Sequence, residues 1–299
     1  MRLDLALIRR HPELSRRRAR AAIEKGQVTV AGARVREAGH EVAEGTTVEW
    51  DPNRKAMSRA RCSLPVLFED EHVLVIDKPA GLLSVPTGPD TGEEDTALGR
   101  VREYVARLHP RGGFVERVHR LDRYTSGALA FALSREARAG LIRTFRAHRI
   151  ERRYLALAFG SPGGDQGVVD APLRDEWVSG RRAVARPDEP QKPARTRWRV
   201  EKRYEDATLL EVTLDTGRQH QIRVHLAHVG LPILGDRVYG PRPGGSRTAP
   251  QRPMLHARRL GFAHPVTGER VEVESPLPAD LSRALARLRP FSPHAPGPG

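Results

Sequence analysis

The residues best equipped for chemistry crowd into two short stretches. His119 to Gly127 reads HRLDRYTSG, and Gly217 to His228 reads GRQHQIRVHLAH. The first sets one carboxylate, Asp122, between Arg120 and Arg123, with the hydroxyls of Thr125 and Ser126 and then Gly127 behind it. A carboxylate so placed can serve as a nucleophile or as a base, and either role requires it ionised. The second stretch gathers His220, His225, His228, Arg218 and Arg223.

Several chemistries are excluded by spacing. HRLD approaches the kinase H-R-D sequence, but Leu121 breaks the spacing and no D-F-G follows. No G-x-x-x-x-G-K-[ST] is present, and no G-x-G-x-x-G follows a strand. The three histidines suggest zinc, yet Arg223 lies among them and an open zinc site needs further ligands and supporting hydrogen bonds. No metal is therefore expected. A two-carboxylate glycosidase finds no acidic partner for Asp122 nearby in sequence. Cys62 stands alone, which rules out an internal disulfide framework and suits a reducing cytoplasm.

Composition narrows the partner. The chain of 299 residues carries 51 Lys plus Arg against 37 Asp plus Glu, a net charge of +14. That surplus favours a polyanion. A GC-rich genome would also raise Arg, but not its clustering. No apolar run reaches membrane-span length, and MRLDLALIRR lacks the apolar region of a secretory signal.

The positioning elements fall into two groups. In residues 1–50, Leu3, Leu5, Leu7 and Ile8 supply the apolar positions of a first helix. Ser15 is placed to cap a second, in which Ala19, Ala22 and Ile23 share a face. The rest of that helix is loaded with Arg16, Arg17, Arg18, Arg20 and Lys25. A hairpin over QVTVAGARV and the strand TTVEW follow. The plain alternative for the basic helix is a solvated charged face.

Residues 51–63, with little periodicity and several breakers, read as a linker. Beyond it, HVLVID, ALAFAL, RYLALAFG and LLEVTL read as strands. The stripes Leu98/Val101/Val105/Leu108, Ala137/Leu141/Phe145 and Ile222/Leu226/Val229 read as helices. The spacing predicts a mixed α/β domain over 64–290, a long loop at 241–252 and a disordered tail at 291–299.

Two resemblances give these patterns meaning. RLDLALIRR, LSRRRARAAIEKGQVTVAGARV and EVAEGTTVEW resemble the alpha-L RNA-binding domain, over nearly all of residues 2–50. HRLDRYTSGALAFAL and TGRQHQIRVHLAHVGLPILGD, with DKPAGLLSVPTG, the tyrosine of RRYLALAFG and LHARRLGFAHP, resemble the RluA-type pseudouridine synthases over about residues 66–276.

The resemblance implies an α+β fold: a catalytic domain on a mixed, largely antiparallel sheet, behind a small amino-terminal RNA-binding domain. It implies isomerisation of uridine in RNA without a cofactor. Asp122 would be the essential carboxylate, acting on a flipped-out uridine, and Arg223 the guanidinium that holds it through a two-pronged contact. Tyr154 would stack on the uracil and help remove its C5 proton. Ile222 would pack against the base, and Arg120 would fill the vacancy in the RNA. Arg218 is left facing RNA or in a structural role. Ser15, Arg16, Arg17, Arg18, Arg20 and Lys25 would contact RNA. The expected partner is ribosomal RNA of the large subunit, with transfer RNA the alternative, and no membrane. The expected protein is a cytoplasmic monomer. The rival from another class is a non-catalytic, ribosome-associated RNA-binding protein.

Overall fold

The computed structural model describes residues 1–35, 38–53, 64–87, 95–108, 113–177, 180–240 and 250–291. Most of the expected linker (54–63, with Cys62), part of the expected long loop (241–249) and nearly all of the expected tail (292–299) lie outside the described residues. The chain divides into two compact units, Met1–Ser63 and Leu64–Gly299.

In the first unit, α1 (Leu3–Arg10) and α2 (Arg16–Glu24) precede β1 (Val28–Val30), β2 (Ala33–Arg34) and β3 (Val48–Trp50). The three strands form an antiparallel sheet in the order β2-β1-β3. Ala31 and Gly32 turn the β1–β2 hairpin with φ of 49° and 79°, the left-handed geometry of a two-residue turn. Leu3 and Leu7 of α1 pack with Ala19, Ala22 and Ile23 of α2 and with Val28, Val30 and Val48. Leu5, assigned to that face by its apolar character, is instead 41 % exposed. Two residues along a helix is a rotation of about 200°, so Leu5 points away from Leu3 and Leu7.

The second unit opens with β4 (Val66–Glu69), β5 (Val73–Lys78), α3 (Ala97–Leu108), β6 (Glu116–Arg117), β7 (Ser126–Ala132) and α4 (Arg135–Arg146). It continues with β8 (Glu151–Phe159), β9 (Gln166–Asp170), β10 (Leu173–Arg174), β11 (Gln191–Lys192), β12 (Arg195–Arg203) and β13 (Ala207–Leu214). It closes with α5 (Gln221–His228), β14 (Leu255–Ala263), β15 (Arg270–Glu274) and α6 (Ala279–Ala286). A large sheet runs β4-β5-β7-β14-β8-β13-β12-β9, with β15 on β14 and β6 on β7. Every pairing in it is antiparallel except β7 with β14.

Burial follows what covers each strand. β7 is buried at every position because helices lie against both faces of the sheet there. Leu129 and Phe131 join Leu98, Val101 and Val105 of α3, while Ala128, Ala130 and Ala132 join Ala137 and Leu141 of α4. Toward the other edge β13 alternates buried and half-buried, as a strand covered on one side does. Ser134 caps α4 by accepting the Ala137 N–H at 3.1 Å. Among the described residues no helix is long and apolar enough to cross a membrane.

Candidate active site

The residues from Leu121 to Thr125 are tied down by their backbones, which fixes where the Asp122 carboxylate projects. Ser84 Oγ takes both peptide groups of Leu121, accepting its N–H at 3.0 Å and donating to its carbonyl at 2.7 Å. The Asp122 carbonyl accepts the Thr125 N–H at 3.0 Å, closing a turn. The Arg123 carbonyl accepts the Gly81 N–H at 2.9 Å and Lys78 Nζ at 3.1 Å. Lys78 is fully buried and also donates to the carbonyls of Pro79 and Leu82. Burial pulls its pKa down to about 7, opposed by the charges of Asp122 and Asp77. Three carbonyl partners nevertheless use all three N–H bonds, which only the ammonium form supplies. The Tyr124 carbonyl accepts Arg252 Nη1 at 3.1 Å, and Arg252 is fixed by a two-pronged contact with Asp280 of α6, at 2.6 and 2.8 Å.

Gly127 then sends the chain into the sheet. Its φ is 116°, and a Cβ there would lie 2.2 Å from the Ala257 carbonyl oxygen of β14. Both the backbone geometry and the close parallel pairing thus demand glycine. Upstream, His119 Nε2 accepts the Ala130 N–H at 2.9 Å while its ring stacks on Phe145. Burial, helped by the charge of Arg152, lowers its pKa to about 3, so it stays neutral and keeps that acceptor.

Asp122 faces a cleft of about 510 Å³ built by the loop before β7, the end of α4, β8 and the start of α5. Arg223 Nη1 lies 3.5 Å from Asp122 Oδ2, and His220 Nε2 lies 3.7 Å from the same oxygen. The expected two-pronged grip of Arg223 on Asp122 is not found. That grip goes to Asp236, with Nε to Oδ2 at 2.6 Å and Nη2 to Oδ1 at 2.9 Å. The reason is geometric: Asp236 occupies Nε and Nη2, and Nη1 alone is left to point at Asp122. Burial works against the charge of Asp236, but Arg223 and the N–H groups of Val238 and Tyr239 outweigh it and hold the carboxyl below its usual range. Sequence reasoning assigned Asp236 no role. The signal was available: a lone acid at the end of the apolar run GLPILGD.

His220 immediately precedes α5 with φ of 59°, a left-handed geometry rare outside glycine. The Tyr239 oxygen accepts the Arg182 N–H at 3.0 Å and meets His220 Nδ1 at 2.9 Å. Burial keeps the imidazole below its usual pKa.

Tyr154 lies on β8 with its side chain in the cleft, and Ile222, buried, lines the same cleft from α5. Burial pushes the Tyr154 phenol above its ordinary pKa, eased by Arg152 and reinforced by Asp122, so it enters the cleft as the neutral phenol. Arg120 is exposed at the cleft lining. Arg218 is structural in part: its Nε donates to the Pro193 carbonyl at 3.0 Å, and its N–H donates to Gln221. Arg218 precedes α5 rather than lying on it. The histidine cluster is dispersed. His225 is buried, with its ring nitrogens on Thr196 Oγ1 at 2.8 Å and the Ala171 carbonyl at 2.9 Å, so neither is left for a metal.

In the first unit, Ser15 Oγ accepts the Arg18 N–H at 3.3 Å and caps α2. Arg16, Arg17, Arg18, Arg20 and Lys25 are all exposed. Arg16 and Arg20 are nonetheless engaged: with Arg2 they surround the fully buried Asp4, at 3.5, 3.0 and 3.2 Å. Burial raises the Asp4 pKa, but hydrogen bonds from Arg20 and Arg2 outweigh it and hold the carboxyl low.

A mixed sheet that presents one tethered carboxylate, a buried phenol and several arginines in one cleft defines an enzyme for a polyanionic substrate. The family description "RNA pseudouridylate synthase" matches residues 72–228, and the S4 domain matches residues 1–48. The chain is 38 % identical over 307 residues to ribosomal large subunit pseudouridine synthase D of Nitrosomonas europaea, covering 99 % of this chain and 86 % of that protein. It is 37 % identical to the protein of the same name from Zymomonas mobilis, covering 96 % and 93 %. Among solved structures it is similar to human RNA pseudouridylate synthase domain containing 4, with 25 % identity, TM-score 0.61 and coverage of 77 % and 95 %. The chain belongs to the RNA pseudouridylate synthase family and carries an S4 RNA-binding domain; it is an RNA pseudouridine synthase, an isomerase.

Proposed function

We propose that the protein converts specific uridines of large-subunit ribosomal RNA to pseudouridine, with Asp122 acting on a uridine flipped into the cleft. The observation that carries this reading is the Asp122 carboxylate, backed by Arg223 Nη1 and facing a cleft also lined by Tyr154 and Ile222. The reaction breaks the C1′–N1 bond and joins C5 to C1′. The C5 proton leaves and N1 gains one, so no external group is consumed. Asp122 supplies the ionised oxygen, whether it meets the sugar, the base or a sugar proton. Its contacts at 3.5 and 3.7 Å are long, which leaves that oxygen free to react. Tyr154 stacks on uracil and, as a neutral phenol, relays the C5 proton rather than starting as a phenolate. Ile222 packs against the base.

Arg120, exposed and without a carboxylate partner among the described residues, enters the stack that the uridine leaves. Flipping costs a few kcal/mol, and a cation in the gap offsets part of it. Ser15, Arg16, Arg17, Arg18, Arg20 and Lys25 serve the S4 domain on RNA, in a cytoplasmic monomer. Ribosomal RNA is favoured over transfer RNA by the names of the relatives.

The test is pseudouridine mapping after incubation with unmodified large-subunit transcripts. Wild type should modify discrete uridines. Asp122→Asn should lose product while binding RNA within a few-fold of wild type. Product from that variant removes Asp122 from its role, and bound but unmodified RNA with wild type favours the non-catalytic rival.

A further inference from the structure

The cleft contains a cation that lacks a counter-charge among the described residues. Arg152 lies two residues before Tyr154 on β8, so both side chains project from the same face of the strand. Among the described residues five arginines line the cleft, Arg120, Arg146, Arg152, Arg218 and Arg223, against one carboxylate, Asp122. Arg223 belongs to Asp236 and Asp122, and Arg218 to a backbone carbonyl. Arg152 makes two stretched hydrogen bonds, Nη2 to the carbonyls of Leu214 at 3.3 Å and Thr216 at 3.4 Å. Its Nε is buried with no acceptor among the described residues.

Arg174 provides the contrast. Its Nε is also buried and unpartnered, but Glu189 lies 2.7 Å from its Nη2 and balances the charge. Arg152 has no such carboxylate among the described residues. A half-buried guanidinium without a counter-ion is costly unless a ligand supplies the anion. Two neighbours keep it in place without neutralising it. The Phe145 ring lies 5.9 Å away, and Gly217 has no side chain where a Cβ would come 2.7 Å from Nη1.

We infer that Arg152 binds a phosphodiester of the RNA strand, adjacent to the uridine that enters the cleft. This deepens the functional reading above and rests on it. A diester offers one negative charge and two free oxygens, which match the edge of a guanidinium in a two-pronged contact. A uracil carbonyl would satisfy Nε but leave the charge unbalanced.

Phosphate-ethylation interference tests this. Large-subunit ribosomal RNA transcripts, ethylated at random phosphates, are partitioned between free and bound pools with Asp122→Asn and with Asp122→Asn/Arg152→Met. The single variant should reject RNA ethylated at one or a few phosphates beside the uridine that wild type modifies. The double variant should accept those molecules, bind unmodified RNA roughly ten- to a hundred-fold more weakly, and show a salt slope smaller by about 1. Asp122→Asn/Arg152→Lys, which keeps the charge, should still reject the same ethylated phosphates. If Arg152→Met does not fold, Asp122→Asn/Gly217→Ala replaces it, since the added methyl displaces Nη1 and should erase the same interference. Identical interference patterns with and without Arg152, or an unchanged salt slope, overturn the inference. Failure of the wild-type protein to form pseudouridine would instead sink the functional reading, and mapping reports that separately.

Discussion

The basic helix α2 and the catalytic cleft both display arginines, and they hold them in opposite ways. On α2 the cations are exposed, and buried Asp4 organises two of them, Arg16 and Arg20, together with Arg2, without enclosing any. In the cleft, Arg223 is buried and locked by Asp236, and its remaining nitrogen is aimed at a single oxygen of Asp122. The difference fits the two tasks proposed for them. A surface that neutralises a phosphate backbone gains from solvated, mobile charges whose effect sums over many phosphates. A group that must meet one reacting atom gains from being fixed before the substrate arrives.

The most forceful way to break this comparison is to unlock Arg223. Asp236→Asn keeps the shape but places an amide N–H against a guanidinium N–H. Arg223 should then turn toward Asp122 or lose its position. Product formation should fall about a hundred-fold or more, and the melting of the second unit should reflect a loss of about 3 kcal/mol. RNA affinity should stay near wild type, because Asp236 lies behind Arg223 and is not among the residues that line the cleft. Single-turnover pseudouridine formation, filter binding and thermal melts measure the three. An Asp236→Asn protein with wild-type turnover would show that Asp122 does not need Arg223 fixed.

That asymmetry also explains what the sequence could and could not reveal. The α2 stripe and its cap are local, so Ser15, Ala19, Ala22 and Ile23 are readable from spacing alone. Helices α3 and α4 are readable for the same reason, and Gly127, with its φ of 116°, has the unusual backbone geometry expected of a glycine in that turn. The cleft is reachable only through its resemblance to a family, because its partners are remote. Asp122 and Arg223 are 101 residues apart, and Arg252 and the Tyr124 carbonyl are 128 apart. No periodicity relates such positions. The error over the two-pronged contact has the same root. Asp236 is only 13 residues from Arg223, but a turn lies between them, and helical spacing says nothing about a partner beyond the helix end.

A smaller effect is expected on α2, and it sharpens the contrast within one helix. Arg17 and Arg18 have no carboxylate partner among the described residues, whereas Arg16 and Arg20 share Asp4. Replacing Arg17 and Arg18 with alanine should lower the salt slope of RNA binding by about 0.9 for each phosphate that is no longer neutralised. The melting of the first unit should hardly move. Replacing Arg16 and Arg20 should do the reverse, lowering stability because buried Asp4 keeps only Arg2, with a smaller change in slope. Equal slopes for the two double variants would mean that Asp4 does not sort these arginines.

The smallest effect separates two roles for one hydroxyl. Ser15 is expected to touch RNA, and it caps α2 by accepting the Arg18 N–H. A capping serine replaced by alanine costs about 1 kcal/mol. Ser15→Ala should therefore lower the stability of the first unit by that amount, and any loss of RNA affinity would be ambiguous. Ser15→Asn removes the ambiguity, since asparagine caps as well as serine but carries no hydroxyl. If the hydroxyl acts through the helix, Ser15→Asn should match wild type in both melting and RNA affinity. Wild-type melting with reduced affinity would place the hydroxyl on RNA, and would make the exposed helix more like the cleft than its solvated charges suggest.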